Sequence, residues 1–346
     1  MPGRRTIFIA SDYLAEPPWM QEIKSEVVRR GFELIQGPPP RPPAQTRFAP
    51  ADLERLFGRA DVIITTTKSL ISREVMAHAP ACRAIIFPTA GTDSVDLAAA
   101  RELGLIVAHG PTPENFNSMA EATVMLMLAL MYGLQSSESQ LRENRPRPML
   151  RHAQMLMGKT IGLVGLGRIG RGVVERLGNW GVKILAIDRP TRAGPPPEGV
   201  ELVSFEELLR RSDIVSLHLT LTPETRHIMG AAQFALMKSG AYFINTSRGG
   251  LVDQDAVYNT LREHRIVGAA LDTFELEPLP ADSPLRDLDN VILTPHMVGQ
   301  TREVMASIPR ALFENLENIL RGDVPRYCRN PEATAAWRQR LATLAR

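Results

Sequence analysis

Three polar side chains in the second half of the sequence carry the groups needed to bind a small acid and to move a proton. They are Arg248 in the segment NTSRGGLVD, Glu277 in LDTFELEP and His296 in LTPH. A guanidinium group holds a carboxylate by paired hydrogen bonds and polarises a neighbouring carbonyl. An imidazole has an unperturbed pKa of about 6.5, so it exchanges protons near neutral pH, and an adjacent carboxylate favours its charged form. These residues predict that His296 gives a proton to a ketone oxygen when hydride reaches the ketone carbon, and takes it back in the oxidative direction.

Each of the three residues also has an ordinary structural explanation. Arg248 could pair with an aspartate, His296 could be a hydrogen-bonded loop histidine, and Glu277 could be solvated. Their shared position favours the chemical interpretation, because each follows the end of a predicted strand. In open α/β sheets, ligands bind outside the carboxyl ends of the strands. The pattern, rather than any single residue, predicts a site at that edge.

A glycine motif in the same half of the sequence predicts dinucleotide binding. The apolar run 161–164 leads into Gly165, Gly167 and Gly170, and then into a helical pattern. Gly165 makes the turn, Gly167 lets the backbone approach a diphosphate, and Gly170 lets helix and strand pack closely. The helix N-terminus favours the anion. Asp188, 18 residues after the last glycine, is expected to accept hydrogen bonds from ribose hydroxyls. The alternative is a glycine-rich turn in an ordinary α/β protein.

The elements of the second half alternate between strand and helix. The predicted strands cover 161–164, 184–187, 214–219, 241–245, 267–271 and 291–293, and helices between them include 205–211, 231–237 and 254–264. Parallel strands need such crossover helices, so the pattern predicts a doubly wound sheet. The polar residues at or just after the strand ends are Asp188, His218, Thr246, Arg248, Asp272 and His296.

The first half predicts a second, smaller sheet of the same kind. Its strands are expected at 6–10, 32–35, 62–65, 84–87 and 106–109, with helices at 19–30, 50–57, 72–78 and 94–103. The segment 37–50 carries six prolines and is expected to be a surface loop. The loop 88–93 contains Gly91 after a strand, so it is a candidate to bind a carboxylate, although an ordinary turn is the alternative.

A methionine-rich helix is predicted at 117–132. Methionines at 119, 125, 127 and 131 make it apolar nearly all round. Such a helix needs cover on every side, and methionine stripes usually belong to buried cores. We expect an interdomain or subunit contact to cover it.

Composition narrows the classes of protein that the chain can belong to. A length of 346 residues favours two domains, and a net charge of +2 gives no reason to propose a nucleic acid partner. Cys82 and Cys328 cannot form a disulfide framework and have no metal-ligand spacing, so no metal site is predicted and a reducing cytoplasm fits. The longest apolar stretch, near 122–131, is shorter than the roughly 20 residues that span a bilayer, and residues 6–10 are read as a first strand rather than a signal peptide. No membrane partner is expected.

Along nearly its whole length the chain resembles the D-isomer-specific 2-hydroxyacid dehydrogenases. The matching segments, in order, are GLVGLGRIGR, SDIVSLHLTLTPETRHIMG, MKSGAYFINTSRGGLVDQDAV, ALDTFELEPLP and NVILTPH. The resemblance implies an α/β fold in which a Rossmann NAD-binding domain, 113–297, is inserted in a flavodoxin-like substrate domain formed by 1–112 and 298–346. It also implies a homodimer formed through the helix at 117–132.

The resemblance implies a reaction as well, namely NAD-dependent interconversion of a 2-oxo acid and a D-2-hydroxy acid by Arg248, Glu277 and His296. The residues implied to contact the cofactor are Gly165, Gly167, Arg168, Ile169, Gly170, Asp188, His218, Thr246 and Asp272, the last near the nicotinamide carboxamide. The residues implied to meet the substrate carboxylate are Ala90, Gly91 and Thr92.

The sequence departs from the usual family pattern beside the catalytic histidine. The family usually has small residues there, whereas Met297 and Val298 precede Gly299 in this chain. Bulk at this point could reshape the pocket, so the motif does not name the substrate.

The choice of cofactor depends on the residues around Asp188. An acid at this position repels a 2′-phosphate, which favours NAD, while Arg189 and Arg192 could attract one, which leaves NADP as the alternative.

Two other functions share much of the pattern. An NAD(H)-sensing corepressor-like binding protein would keep the same three polar residues, although the sequence shows no long disordered tail. The second alternative is a related enzyme that acts on phosphite or formate. Relatives that act on formate place a glutamine where Glu277 stands, which disfavours that branch.

Overall fold

The computed structural model describes residues 4–13, 15–40, 45–147, 153–188 and 195–345. The chain divides into two compact units, one formed by Met1–Asn115 with Thr301–Arg346 and the other by Phe116–Gln300. The sequence prediction placed its domain boundaries after residues 112 and 297, whereas the units divide after residues 115 and 300.

The strands are β1 (Thr6–Ile9), β2 (Glu33–Gln36), β3 (Val62–Ile64), β4 (Ala84–Ile86), β5 (Ile106–Ala108), β6 (Thr160–Val164), β7 (Lys183–Ile187), β8 (Val200–Leu202), β9 (Ile214–Leu217), β10 (Tyr242–Asn245), β11 (Gly268–Leu271) and β12 (Val291–Leu293). The helices are α1 (Pro18–Arg29), α2 (Pro50–Phe57), α3 (Arg73–Ala77), α4 (Leu97–Glu102), α5 (Pro113–Met131), α6 (Leu134–Arg142), α7 (Arg168–Leu177), α8 (Phe205–Arg211), α9 (Ala231–Leu236), α10 (Gln254–Arg262), α11 (Arg302–Arg321) and α12 (Thr334–Leu344).

Among the described residues, the first unit holds a five-stranded parallel sheet in the order β2-β1-β3-β4-β5. This is the flavodoxin-like strand order. Alternate residues of β1 face opposite sides, because Phe8 packs with Leu53 of α2 while Ile9 packs with Ile23 of α1 and Leu312 of α11. Helices therefore cover both faces, and the central strands are continuous apolar runs.

The second unit holds a seven-stranded parallel sheet in the order β12-β11-β10-β9-β6-β7-β8 among its described residues. Counted from β6, this is the Rossmann order 3-2-1-4-5-6 with one further strand beyond the sixth. Val215 and Phe243 pack on one face, and Ile214 and Ile244 pack on the other. The predicted fold class is confirmed. It consists of two domains with doubly wound parallel sheets, one domain being inserted in the sequence of the other.

Two predicted helix starts were displaced. Helix α4 was expected from residue 94, but it begins after Asp96, whose carboxylate accepts a hydrogen bond from the Ala99 N–H at 2.9 Å. Helix α5 was expected from residue 117, but it begins at Pro113, since a proline in the first helical turn loses no helical hydrogen bond.

The elements α6, α11 and β8 were not predicted. Helix α6 buries none of its residues, and β8 is three residues long with two of them exposed, so neither has a strong apolar pattern. Helix α11 contains Pro309, a residue that normally ends a helix. The C-terminal helix α12 contributes to the core of the first unit, because its Trp337 is fully buried and the indole N–H donates to the Arg83 carbonyl at 2.8 Å.

Within the described ranges, each helix taken alone is too short or too polar to cross a membrane. Among the described helices, only α5 and α6 taken together are long and apolar enough to do so, and they are bent by 59° at their junction.

Candidate active site

The turn after β6 has the shape that a bound diphosphate needs. Gly165 has φ +107°, and a Cβ atom there would lie 2.7 Å from the His218 carbonyl oxygen. A Cβ atom at Gly170 would lie 2.5 Å from the Gly165 carbonyl oxygen, so only glycine allows this close packing. Gly167, the N-cap of α7, would meet nothing within 4 Å. The open space therefore lies where a helix N-terminus offers unpaired N–H groups to an anion, and the residues fit a dinucleotide.

Two further residues expected at the cofactor begin helix α7. Arg168 is exposed, and its guanidinium lies 4.8 Å from the centre of the Phe116 ring. Ile169 is half-buried in the same turn. Their backbone N–H groups belong to the first turn of the helix, which makes no hydrogen bonds within the helix.

Asp188 directly follows β7, as the sequence predicted. Its carboxylate lies 3.8 Å from Arg171 Nη2 of helix α7. The arginines considered for a 2′-phosphate, Arg189 and Arg192, lie outside the described residues.

His218 and Thr246 follow the neighbouring strands β9 and β10. The backbone N–H of His218 donates to the Val164 carbonyl at 2.9 Å, and the ring nitrogen Nε2 lies 3.1 Å from the Ser216 hydroxyl. Burial lowers the pKa of His218 to about 4, so this imidazole is neutral at physiological pH. Thr246 is buried, and the Ser247 hydroxyl beside it donates to the Leu217 carbonyl at 2.7 Å, which joins the two strand ends.

Arg248 precedes a short 3-10 turn, Gly249–Leu251, at the end of β10. The Asn245 side-chain amide donates to the Arg248 carbonyl at 2.9 Å, and the guanidinium donates to the Ser247 carbonyl at 2.7 Å. A Cβ atom at Gly249 would lie only 1.9 Å from the Phe274 carbonyl carbon. The turn that follows Arg248 is therefore packed against the backbone that leads to Glu277.

Glu277 and His296 form a hydrogen-bonded pair. His296 Nδ1 lies 2.7 Å from Glu277 Oε2, and the Phe274 N–H donates to Glu277 Oε1 at 3.0 Å. Burial acts to raise the pKa of Glu277, but the hydrogen bonds to His296 and Phe274 and the charges of His296 and Arg248 outweigh it, so the pKa lies below its ordinary value. The three residues expected to catalyse the reaction thus influence one another electrostatically within the second unit.

Asp272 is buried beneath the loop that carries His296. Its Oδ1 accepts hydrogen bonds from the Thr294 hydroxyl at 2.7 Å and from the N–H groups of Met297 and Val298 at 3.0 and 3.2 Å. Burial raises the pKa of this carboxyl, and the hydrogen bonds oppose that rise only in part. The family resemblance implied that Asp272 lies near the nicotinamide carboxamide, and its hydrogen bonds also hold the His296 loop.

The bulky residues after the histidine differ in environment. Met297 is 51% exposed, whereas Val298 is half-buried and packs on the core beneath the sheet. A Cβ atom at Gly299 would lie 2.1 Å from the Met119 sulfur, so α5 fills the space beside that glycine.

The predicted substrate loop lies in the first unit and is described within that unit alone. The His109 ring nitrogen Nδ1 lies 2.8 Å from the Ala90 carbonyl oxygen, and Arg329 donates to the Thr92 hydroxyl at 3.4 Å. Gly91 is half-buried and Thr92 is buried.

Two features of the second-unit site were not anticipated. One is the close packing of Gly249 on Phe274, for which the glycine pair in SRGGL was the available signal. The other is a second histidine–glutamate pair, in which His227 Nε2 is hydrogen-bonded to Glu275 Oε1. No local signal distinguished this pair, because its members are 48 residues apart.

A comparison with protein families bears on the second unit. The family model described as "D-isomer specific 2-hydroxyacid dehydrogenase, NAD binding domain" matches residues 124–298. The predicted NAD cofactor is thereby confirmed.

Individual relatives give the same result. The chain is 40% identical over 268 residues to a D-3-phosphoglycerate dehydrogenase of Methanocaldococcus jannaschii, covering 77% of this chain but only 51%, about half, of that protein. It is 37% identical over 270 residues to a glyoxylate reductase of Korarchaeum cryptofilum, covering 77% of this chain and 81% of that one. The solved structure of a glyoxylate reductase from Paecilomyes thermophila superposes with a TM-score of 0.82 at 26% identity, covering 96% of this chain and 99% of that chain. The chain therefore belongs to the D-isomer-specific 2-hydroxyacid dehydrogenase family.

Proposed function

We propose that the protein is an NAD-dependent oxidoreductase that interconverts a 2-oxo acid and a D-2-hydroxy acid. The observation that carries the proposal is the 2.7 Å hydrogen bond between His296 and Glu277, with the charge of Arg248 acting on the same carboxylate. Family membership supports it, because the relatives are named dehydrogenases and reductases.

The roles of the three residues follow from their contacts. The lowered pKa keeps Glu277 ionised, and an ionised carboxylate accepts the hydrogen bond of the N–H group at His296 Nδ1. Since Nδ1 is occupied by Glu277, the other ring nitrogen is the one that gives its proton to the substrate oxygen. Arg248 holds the substrate carboxylate and polarises the adjacent carbonyl. When bound, the nicotinamide cofactor supplies or accepts the hydride.

We assign the substrate carboxylate to Ala90, Gly91 and Thr92, as the family resemblance implied. Small residues in a loop after a strand leave backbone N–H groups available to an anion. A substitution Gly91→Val is expected to raise the KM for the 2-oxo acid while the Kd for NADH stays near the wild-type value.

The cofactor proposal is NAD rather than NADP. Asp188 directly follows β7, at the position where the adenosine ribose of a dinucleotide is recognised in Rossmann folds, and an acid there accepts hydrogen bonds from hydroxyls but repels a phosphate. The ratio of kcat/KM for NADH to that for NADPH tests this, and Asp188→Ala is expected to lower the ratio.

A substrate screen tests the activity itself. Oxidation of NADH is measured with glyoxylate, hydroxypyruvate, pyruvate, phenylpyruvate and branched 2-oxo acids, and binding of NADH is measured in parallel. Turnover of any of them supports the dehydrogenase. Tight NADH binding with no turnover of the whole series contradicts it and supports the corepressor-like alternative.

We also propose that the protein forms a homodimer through α5 and α6. The large apolar residues exposed on α5, on α6 and between them are Met125, Tyr132, Leu134 and Leu141. Leu141 is 83% exposed and Leu134 62%, and association with a second copy would remove such apolar side chains from water. Leu141→Glu is expected to lower the mass measured by light scattering, whereas Val28→Glu, at an exposed apolar residue of α1, is not.

A cytoplasmic location completes the proposal. Cys82 and Cys328 are both free thiols, which fits a reducing compartment. Recovery of the native protein in the soluble intracellular fraction tests it, and recovery outside the cell would contradict it.

A further inference from the structure

His227 contacts the turn that follows Arg248 through its backbone. Its N–H donates to the Gly250 carbonyl at 2.9 Å, and two residues later the Met229 N–H donates to the Leu251 carbonyl at 3.1 Å. These bonds hold the 3-10 turn from outside the sheet. The position of Arg248 is therefore linked to the loop that carries His227.

The side chain of the same residue contacts the segment that carries Glu277. His227 Nε2 is hydrogen-bonded to Glu275 Oε1, and Glu275 is two residues before Glu277. The residue before Glu275 is Phe274, whose N–H donates to the Glu277 carboxylate at 3.0 Å. The bond to Glu275 thus restrains the short segment 274–277, which sets the position of the Glu277 carboxylate.

The two segments joined by His227 are also in direct contact beneath it. The closeness of Gly249 to the Phe274 carbonyl shows that the Arg248 turn and the Glu277 segment touch backbone to backbone. A shift of either segment would move the other, and His227 is bonded to both.

We infer that His227 is a positioning residue that holds Arg248 and Glu277 in register. We call its contact with Glu275 the His227–Glu275 bridge. This inference rests on the proposed function, because Arg248 and Glu277 act in the reaction only under that proposal. His227 itself does not take part in proton transfer.

The His227–Glu275 bridge is expected to affect the reaction rate more than the stability of the fold. Its two side chains are 42% and 34% exposed, and exposed ion pairs contribute little to folding. Reaction rates respond far more strongly to geometry, since a displacement of about 1 Å can lower a rate about a hundredfold. Loss of the bridge is therefore expected to reduce turnover without a matching loss of stability.

The first test removes the bridge from its glutamate side, which leaves the backbone of His227 untouched. Glu275→Ala is expected to lower kcat about tenfold, a fraction of the largest displacement effect, while Tm and the Kd for NADH stay close to wild type. Glu275→Gln keeps an acceptor of similar length and is expected to recover most of the lost kcat. A purely structural role predicts instead that Tm falls together with kcat and that the Kd for NADH weakens.

The second test uses two histidines with the same backbone conformation. His227 and His264 both have φ +51°, and both are exposed, so asparagine, which tolerates this conformation, is a matched substitution. His227→Asn is expected to lower kcat as Glu275→Ala does, and His264→Asn is not. The double variant of His227 and Glu275 is expected to lose no more than either single variant, because both remove one interaction.

A third measurement needs no substrate. Amide hydrogen exchange in peptides covering 245–252 and 272–279 is expected to be faster in Glu275→Ala than in wild type. Unchanged exchange contradicts the inference whatever the activity, and so does faster exchange with unchanged kcat. A wild-type protein that turns over no 2-oxo acid contradicts the proposed function alone, and the exchange rates then decide whether the bridge holds the two segments.

Discussion

The second unit contains two histidine–glutamate pairs that are alike in chemistry and differ in their surroundings. His296 and Glu277 form one pair, and His227 and Glu275 form the other, with the two glutamates only two residues apart. Both histidines have a left-handed backbone, with φ +53° and +51° respectively. The side chains are also similarly exposed, at 43% and 36% in the first pair and 42% and 34% in the second.

What separates the pairs is the set of groups around each carboxylate. Glu277 accepts a backbone N–H from Phe274 and feels the charge of Arg248, and its pKa is lowered in spite of burial. Residues beside His296 are bonded to the buried carboxylate of Asp272, at the edge of the sheet where ligands collect. His227 is bonded through its backbone to Gly250, behind the Arg248 turn. We therefore propose that position on the sheet, rather than the presence of a histidine–glutamate pair, decides which of the two pairs acts on a substrate.

The largest expected effect comes from exchanging the two histidines for asparagine in turn. His296→Asn removes the proton donor and is expected to lower kcat by about 10² to 10⁴. His227→Asn keeps the donor and is expected to lower kcat by only about tenfold, through displacement of neighbouring residues. Steady-state oxidation of NADH with the best 2-oxo acid measures both.

Asparagine suits both positions because it tolerates φ near +50°, so backbone strain is matched between the variants. The Kd for NADH, measured by fluorescence, serves as the control for folding of the cofactor site. Equal losses in the two variants would mean that the pairs are not functionally distinct, and near-normal turnover in His296→Asn would remove that residue from the mechanism.

Substitution of Arg248 is expected to have the next largest effect on turnover. Its charge acts on Glu277 of the first pair, and the turn that follows it is hydrogen-bonded to His227 of the second pair. Arg248→Ala is expected to lower kcat/KM for the 2-oxo acid by about a hundredfold or more, since it removes a charged partner of the substrate. Arg248→Lys keeps the charge but loses the paired hydrogen bonds, so its kcat/KM is expected to lie between the values of wild type and Arg248→Ala. If the variants instead bind NADH more weakly and keep their kcat/KM for the 2-oxo acid, Arg248 binds the cofactor rather than the substrate.

The glycine turn after β6 was easier to predict from the sequence than the candidate catalytic edge of the sheet, where Arg248, Glu277 and His296 lie. Gly165, Gly167 and Gly170 lie within six residues, between an apolar run and a helical pattern, so the motif can be recognised locally. The doubly wound fold was predictable for a related reason, because buried parallel strands are short apolar runs separated by helices.

The candidate catalytic edge, with Arg248, Glu277 and His296, is assembled from segments that are far apart in the sequence. Glu277 and His296 are separated by 19 residues, and each was identified by residue type and by its position after a strand. The bond of Asp272 to the loop after His296 and the bridge of His227 to Glu275 depend on how loops fold back over the sheet. Loop paths of this kind have no periodic pattern, so these positioning contacts could not be predicted.

A smaller effect distinguishes the two glutamates through the rate at neutral pH. The lowered pKa of Glu277 keeps its carboxylate ionised there, and Glu277→Gln puts a neutral amide beside His296 Nδ1, so kcat for 2-oxo acid reduction is expected to fall about tenfold as a charge-assisted hydrogen bond is replaced by a neutral one. Glu275→Gln is expected to keep most of the wild-type kcat, because its partner His227 gives no proton to the substrate. An equal loss of kcat in both variants would contradict the assignment of one pair to proton transfer.

The smallest effect concerns stability in acid. The pKa of Glu277 is lowered in the folded protein, so its ionised form stabilises the fold at pH values above the ordinary glutamate pKa of about 4.3, and this contribution is lost as the pH falls through the lowered folded pKa. Because the pair is partly exposed, the contribution to Tm is expected to be no more than about 3 °C. Scanning fluorimetry of wild type and Glu277→Gln is therefore expected to show a small Tm difference at neutral pH that narrows below about pH 4. A difference that widened on acidification would mean that the carboxyl is stabilised in its protonated form, and Glu277 would then resemble a buried structural acid rather than the ionised partner of His296.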